Sequence, residues 1–149
     1  MNDPNCVFCQ IVLGQRPTHV VLESDLALAF LDARPLFPGH SLLVPRDHYE
    51  TLGDLPALLV SELFVDGQHL ARAVEKAMGA DGSFVAMNNR VSQSVPHFHV
   101  HVVPRRRKDG LGGFFWPRQK YENDEEMGAV ADRIRGAHRS ALEGGLGSV

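Results

Sequence analysis

The stretch His97–Val103, His-Phe-His-Val-His-Val-Val, limits the fold of this chain more than any other. Polar and apolar side chains alternate through it, which is typical of a β-strand whose two faces meet different surroundings. Because alternate side chains of a strand share a face, the histidines project from one side and the apolar residues project from the other into an apolar layer. The histidines are His97, His99 and His101, and the opposite face carries Phe98, Val100 and Val102.

Three aligned imidazoles favour a functional site over an ordinary core. They would hold a metal together, or one of them would be a nucleophile assisted by its neighbours. Same-face neighbours on a flat strand lie about 7 Å apart, whereas the bonds of a tetrahedral zinc site are only about 2.1 Å long. Sharing of one metal by all three is therefore disfavoured. Catalysis is favoured, and three unrelated surface histidines are the plain alternative.

Turn residues and hydrophobic spacing predict the other elements. The predicted strands are Val20–Glu23, Leu26–Leu31, Ser41–Pro45, Ser83–Met87 and His97–Val103. The predicted helices are a short one that Asp3 caps, Pro4 begins and Gly14 ends, a long one between Asp54–Pro56 and Gly79, and a last one from about Asp124 to Leu142. Their apolar faces carry Leu59, Leu63, Leu70, Val74 and Ala77 in the long helix, and Met127, Val130, Ile134 and Ala137 in the last. This order predicts an α+β fold with a largely antiparallel sheet.

Composition excludes several classes of function. The chain has 149 residues, 44% of them hydrophobic and 22% charged, and its net charge is −3. These values are typical of one globular domain and argue against a nucleic-acid or anionic-membrane coat. No apolar run approaches the roughly 20 residues that span a bilayer, and the N-terminus lacks the pattern of a signal peptide. We therefore expect a soluble, cytoplasmic protein that binds neither membrane nor nucleic acid.

Cys6 and Cys9 form a Cys-x-x-Cys pair near the N-terminus. In a reducing compartment such a pair is either a metal half-site or a redox pair. A thioredoxin-like pair follows a strand and begins a helix in a βαβ unit, and that context is absent from the pattern of this chain. Two thiolates supply half of a tetrahedral metal site.

The sequence resembles the histidine triad (HIT) superfamily, in which His, apolar, His, apolar, His is followed by two more apolar residues. Further matching segments are Phe30–Ala33, Pro38–His40, Leu43–His48 and Gln93–Val95, in the order seen in this superfamily. The resemblance covers roughly Cys6 to Pro104 and implies one HIT domain over residues 1–149, with residues 105–149 as a C-terminal loop and helix. It also implies a two-fold homodimer. Related transferases have glutamine in place of the third histidine, so His101 makes this chain similar to bacterial hydrolases.

The resemblance implies catalytic roles for three residues. His99 would attack the α-phosphorus of a nucleotide, forming a nucleotidyl-imidazole that water hydrolyses. A backbone carbonyl would hold its other ring nitrogen. His101 would donate to the α-phosphate oxygens as negative charge builds, and Ser94 would contact the phosphate or the leaving atom.

The resemblance also implies a site for an AMP-containing purine nucleotide. Asp32 would accept hydrogen bonds from the ribose hydroxyls, and Gln93 and Asn88 would help to hold the phosphate. The loop from Asn88 to Gln93 lacks the glycines that are common in relatives, so Asn89 is an alternative to Asn88. An apolar slot for the base would be formed by Val7, Phe8, Phe30 and Ala33, for which ordinary core packing is the alternative.

Zinc is the cofactor that the resemblance implies. His48 and His97 would complete the site begun by Cys6 and Cys9, since several members of the superfamily hold a structural zinc with such a set. With four protein ligands the zinc would be structural rather than catalytic. It would attach the N-terminal helix to the sheet and leave His99 and His101 for catalysis.

The implied function is hydrolysis at the α-phosphate of dinucleoside polyphosphates or adenosine 5′-phosphoramidates. The basic and aromatic segment Lys108–Arg118, which includes Phe114-Phe115-Trp116, slightly favours dinucleoside polyphosphates if it reaches the active site. Otherwise it is a loop packed over the sheet edge. A nucleotidyltransferase or phosphorylase of the same fold and a nucleotide-binding scaffold with little activity are the alternatives, and a deadenylase acting on nucleic-acid ends is disfavoured by the charge.

Overall fold

A computed structural model describes residues 2–111 and 119–145, with side chains described as far as residue 140. The chain divides into two compact units, Met1–Asp109 and Gly110–Val149. The first unit contains α1 (Val7–Val12), β1 (Val20–Glu23), β2 (Ala27–Leu31), β3 (Ser41–Pro45), α2 (Ala57–Met78), β4 (Gly82–Ala86) and β5 (Val100–Arg105), with a 3₁₀ turn at Leu52–Asp54. The second unit contains α3 (Asp124–Gly145).

The five strands form one antiparallel sheet in the order β1-β2-β3-β5-β4. The α+β fold with a mostly antiparallel sheet is thus confirmed. The hairpin of β1 and β2 and the third strand lie where turn residues and apolar runs predicted them. The sheet has an apolar layer on each face, and the functional side chains lie on the face that carries α1.

The long helix α2 packs on the other face of the sheet. Its buried residues are Leu63, Gly67, Leu70 and Val74. Leu59 contacts the same core, but Ala77 is exposed, so the predicted apolar face of the helix was wrong at that residue. Gly79 ends the helix in the left-handed conformation, as its position predicted, with φ 55°.

The N-terminal helix α1 begins later than predicted, because Asp3 does not cap it. The carbonyl of Asp3 accepts the Cys6 N–H at 3.1 Å, and its Oδ1 accepts the Asn5 N–H at 2.9 Å, so residues 3–6 form a turn. The helix then runs from Val7 to Val12. Phe8 and Cys9 are its buried residues, and they pack against apolar side chains of β2 and β3.

The histidine segment alternates as predicted, but only part of it is strand. β5 begins at Val100, because the backbone N–H of Phe98 donates to Tyr49 O at 2.6 Å, outside the strand ladder. Phe98, Val100 and Val102 all enter the core beneath α2. His97 and His99 are buried on the opposite side, 0% and 3% exposed, so this polar face is enclosed rather than open to solvent.

The last helix, α3, confirms the predicted C-terminal helix and runs to Gly145. Acidic residues fill its first turn, where their negative charge interacts favourably with the positive end of the helix dipole. Met127 and Ile134, predicted on its apolar face, are 54% and 65% exposed. Among the helices of the described residues, none is long and apolar enough to cross a membrane.

Candidate active site and metal centre

His99 is held in one tautomer by the backbone just before it. Its Nδ1–H donates to the carbonyl oxygen of His97 at 2.7 Å, which leaves the lone pair on Nε2. Burial lowers the pKa of His99, although the His97 carbonyl and Asp32 act in the opposite direction. A neutral imidazole with an available Nε2 lone pair is a competent nucleophile near pH 7.

His101 is held in the opposite tautomer by His40. The backbone N–H of Leu36 donates to His40 Nδ1 at 3.2 Å, so the proton of the neutral His40 ring lies on Nε2. That Nε2–H donates to His101 Nδ1 at 3.0 Å, and the proton of His101 therefore lies on its own Nε2. Burial, His99 and His40 lower the pKa of His101 to about 4, which keeps the ring neutral.

Sequence reasoning missed His40, which it noted only as part of the matching segment Pro38–His40 and to which it gave no role. The residue is 3% exposed and its Nδ1 lies 3.6 Å from Asp32 Oδ2. The signal was the Pro38-Gly39-His40 segment. Gly39 has φ +96°, and a Cβ there would lie 2.7 Å from Met78 Cγ, so only glycine fits immediately before His40.

A cavity of about 700 Å³ lies beside His99 and His101. This volume suits a nucleotide-sized ligand, since small-molecule sites measure about 300–1,000 Å³. The predicted site residues that line it are Val7, Phe8, Phe30, Asp32, Ala33, Ser94, His99 and His101. Sequence reasoning missed Arg16 and Arg34, which line it as well and carried no distinguishing pattern.

Aromatic contacts connect the apolar wall of the cavity to the nucleophile. The ring of Phe8 meets His99 edge to face, with centroids 5.2 Å apart and planes at 85°. Phe8 also packs against Phe30, with centroids 5.4 Å apart. Both phenylalanines therefore line the cavity and pack in the core at the same time.

Two of the predicted phosphate-binding residues do not line the cavity. Gln93 Nε2 donates to Glu50 O at 2.7 Å, and Asn88 Nδ2 donates to Ser92 O at 3.3 Å. Asn89, the alternative to Asn88, accepts the backbone N–H of Leu52 at 2.9 Å. All three side chains therefore hold the loop that leads to Ser94, which itself reaches the cavity.

Cys6, Cys9, His48 and His97 converge on one point, as the sequence predicted. Their ligand atoms all lie within 4.8 Å of one another. Cys9 Sγ lies 3.3 Å from His48 Nδ1, and both thiols lie 3.5 Å from His97 Nδ1. Sulfur and nitrogen ligands of a tetrahedral zinc are separated by about 3.6 Å, given zinc bonds of about 2.3 and 2.1 Å.

The protonation states also fit a metal at this point. His97 Nε2–H donates to Pro45 O at 3.0 Å, so its Nδ1 lone pair faces the two thiols. Burial is the main cause that lowers the pKa of His97 to about 4, and burial raises the pKa of the Cys9 thiol. A bound cation would stabilise the thiolate at such a buried position. The four residues thus fit a closed Cys₂His₂ zinc site.

The basic turn after β5 is engaged away from the cavity. Arg105 forms an ion pair with Asp109. Arg106 donates to the carbonyl oxygens of Met78 and Gly79 at 2.7 and 2.8 Å, which satisfies the C-terminal end of α2. The neighbouring segment 112–118, including Phe114-Phe115-Trp116, lies outside the described residues.

The fold and this arrangement of histidines are those of a histidine triad protein. The HIT domain family model matches residues 14–108, more than half of the chain, and this protein therefore belongs to that family.

Two curated relatives are similar over most of this chain. The adenylylsulfatase HINT3 of Arabidopsis thaliana is 37% identical over 109 residues, which cover 72% of this chain and 55% of that protein. The chain thus spans about half the length of HINT3. The adenosine 5′-monophosphoramidase HNT1 of Saccharomyces cerevisiae is 35% identical over 126 residues, covering 83% of this chain and 77% of that protein.

A solved structure carries the same fold. The Zn-bound histidine triad family protein from Mycobacterium smegmatis superposes with a TM-score of 0.68 and is 35% identical. The match covers 89% of this chain and 97% of that one.

Proposed function

We propose that this protein is a hydrolase that releases AMP from adenosine nucleotides substituted at the α-phosphate, through a nucleotidyl intermediate on His99. The observation that carries the proposal is the 2.7 Å hydrogen bond from His99 Nδ1 to the His97 carbonyl, which directs the reactive lone pair to Nε2. The names of HINT3 and HNT1, which describe cleavage of AMP derivatives, support the same class of reaction.

Each step uses a group of this chain. His99 Nε2 attacks the α-phosphorus, a P–N bond forms, and the bond from phosphorus to the leaving group breaks. His101 donates its Nε2–H to a phosphate oxygen as negative charge builds. Ser94 assists protonation of the leaving atom. Water then attacks the same phosphorus, the P–N bond to His99 breaks, and AMP is released.

Substrate recognition follows from the cavity walls. Asp32 accepts hydrogen bonds from the ribose hydroxyls, and the base stacks against the apolar side chains of Val7, Phe8, Phe30 and Ala33. Arg34 donates its backbone N–H to Asp32 Oδ1 at 2.8 Å, which orients the carboxylate. Asn88 and Gln93 support the phosphate loop through their contacts within it.

Within this class, the preferred substrates are those with small leaving groups. The segment Lys108–Arg118, which favoured dinucleoside polyphosphates, lies mostly outside the described residues. The arginines just before it are engaged elsewhere, Arg105 by Asp109 and Arg106 by the end of α2. Adenosine 5′-phosphoramidate and adenylyl sulfate need no group to hold a second nucleoside. The names of the two curated relatives favour these compounds as well.

A structural zinc completes the proposed protein. The set Cys6, Cys9, His48 and His97 would hold it, and when bound it would crosslink α1 to the residues that follow β3 and precede β5. The Zn-bound family member from Mycobacterium smegmatis supports this cofactor. Every ligand position is filled by protein, so no step of the reaction uses the metal.

A second copy of this chain is the proposed partner, and the cytoplasm is the proposed location. Apolar side chains exposed on α2 support the dimer: Leu58 is 84% exposed and Val65 is 50% exposed. β4 is an edge strand of the sheet with Val85 46% exposed, and such edges are open to pairing. Sedimentation equilibrium tests the dimer, and a monomer at micromolar concentration would refute it.

The proposed activity is tested by AMP release from adenosine 5′-phosphoramidate, adenylyl sulfate and diadenosine triphosphate. Wild type, His99→Gln and the control His69→Gln, an exposed histidine on α2, are compared. We expect turnover by wild type and the control and none by His99→Gln. Equal activity of wild type and His99→Gln would refute the covalent mechanism. AMP binding without turnover in wild type would instead support a binding scaffold.

A further inference from the structure

The helix α1 belongs to two sites at once. Cys6, which precedes it, and Cys9 within it supply half of the metal-ligand set. Val7 and Phe8, which lie between them, line the nucleotide cavity. The helix has only six residues and no side-chain N-cap, so its position depends on packing and on whatever its thiols bind.

His97 also belongs to both sites, through its ring and through its backbone carbonyl. Its Nδ1 lies 3.5 Å from both thiols, while its carbonyl oxygen accepts the Nδ1–H of His99 at 2.7 Å. A displacement of His97 therefore changes the hydrogen bond that selects the tautomer of the nucleophile.

Phe8 contacts both a histidine of the metal-ligand set and the nucleophile. Its ring meets His97 and His99 edge to face, at centroid distances of 6.0 and 5.2 Å. The side chain is 7% exposed, and close-packed rings transmit a displacement rather than absorb it. Movement of α1 would therefore shift one wall of the base slot and the ring that packs on the nucleophile together.

We propose that zinc binding and AMP binding are thermodynamically coupled through α1, with Phe8 as the positioning residue that carries the coupling. This inference rests on the proposed function, since it needs AMP as a ligand of the cavity. The ion draws the two thiols and two imidazoles together, which fixes α1 against the sheet and preforms the base slot. A ligand that favours one conformation raises the affinity of any other ligand for it, by the same factor in both directions.

The test measures affinities, so it does not depend on turnover. Zinc affinity is measured by competition with a chromophoric chelator, with and without saturating AMP, and AMP affinity is measured by calorimetry on zinc-loaded and zinc-free protein. We expect AMP to tighten zinc binding by at least about fivefold, and zinc to tighten AMP binding by the same factor, in the usual range of allosteric coupling.

Two variants separate the proposed route from general stabilisation. Phe8→Leu keeps an apolar side chain in the core but removes the ring, and we expect it to bind both ligands with a coupling factor below twofold. Val12→Ala is the matched control, because Val12 packs against the same cluster from the same helix but does not line the cavity. It should retain the wild-type coupling factor.

The outcomes distinguish the coupling from the proposed function. Zinc affinity that is unchanged by AMP, or coupling that persists in Phe8→Leu, overturns this inference while AMP binding still supports the proposed function. Failure of the zinc-loaded protein to bind AMP overturns both. Failure to bind zinc overturns the inference and the proposed cofactor together.

Discussion

Replacement of His40 by asparagine tests how the chain fixes the proton on His101. The amide of asparagine reaches the position of His40 Nδ1, so it still accepts the backbone N–H of Leu36. It has no atom at the position of Nε2, and the 3.0 Å hydrogen bond to His101 Nδ1 is lost. His101 then gains the alternative tautomer, in which its Nε2 carries no proton to donate to the phosphate.

The size of the effect follows from the burial of this pair. Loss of the partner of a buried polar group costs about 1–3 kcal/mol, and the net value of one hydrogen bond is about 0.5–1.5 kcal/mol. A loss of about 1–2 kcal/mol of transition-state stabilisation, because the donor on His101 is no longer fixed, corresponds to a fall in kcat of about 5- to 30-fold. Complete removal of such a donor costs about 10²–10³ in kcat, so His101→Ala should be the more severe change. KM should change less, because the donor acts on charge that builds in the transition state.

The assay is steady-state AMP release from adenosine 5′-phosphoramidate, combined with ¹⁵N NMR of the His101 ring. His40→Gln is the matched control, because its longer side chain places an amide N–H near the position of Nε2. We expect His40→Gln to recover kcat to within about threefold of wild type and to restore the Nε2–H tautomer. A His40→Asn variant with wild-type kcat and an unchanged His101 tautomer would refute this reasoning.

Three further predictions concern the metal, the turn before His40 and pH. Elemental analysis should find zinc in wild type and none in Cys9→Ser. The Tm of Cys9→Ser should fall by about 8–16 °C, since a ligand at 1,000 times its Kd stabilises by about 4 kcal/mol and each kcal/mol shifts Tm by about 2–4 °C; an unchanged Tm contradicts a structural metal. Gly39→Ala should destabilise by about 2–4 kcal/mol in urea titration, because its φ is +96° and the new Cβ meets Met78, whereas Gly14→Ala, with φ +70° and open space, should cost only about 1–2 kcal/mol. Equal costs would show that Met78 yields freely. Burial lowers the pKa of His99, so the ring stays neutral and nucleophilic as pH falls. The value of kcat/KM should therefore level off above pH 6.5, and the midpoint of its fall at acid pH should lie below 6.5. A midpoint at or above 6.5 contradicts the assignment of His99 as the nucleophile.

The elements that local sequence patterns govern were predicted well. The hairpin of β1 and β2 and the end of α2 at Gly79 follow from turn chemistry and from the left-handed conformation that glycine accepts. The predicted start of α1 was wrong because Asp3 forms two local hydrogen bonds in a turn at residues 3–6. This turn competes with the helix cap that the sequence predicted at Asp3. The predicted start of β5 was wrong because the carbonyl oxygen of Tyr49, which is distant in sequence, accepts the backbone N–H of Phe98.

The candidate site shows the same division between local and distant information. The alternation of the histidine segment predicted the side on which His99 lies, and spacing indicated that Cys6 and Cys9 form half of a metal site. His40 was missed because its partners, Leu36 and His101, meet it only in the folded chain. The loop side chains Asn88 and Gln93 were predicted toward the phosphate, but Asn88 donates within the loop to Ser92 O, and Gln93 donates to the distant Glu50 O.

Stereochemistry at the α-phosphorus tests the central claim most directly, because it does not require the adenylyl-histidine to accumulate. An adenosine 5′-phosphorothioate derivative of defined chirality, with an amine leaving group, is hydrolysed in ¹⁸O-labelled water. Attack by His99 followed by attack of water inverts the phosphorus twice, so the account predicts net retention of configuration. Net inversion would contradict it, since a single displacement by water leaves no place for a covalent intermediate on His99.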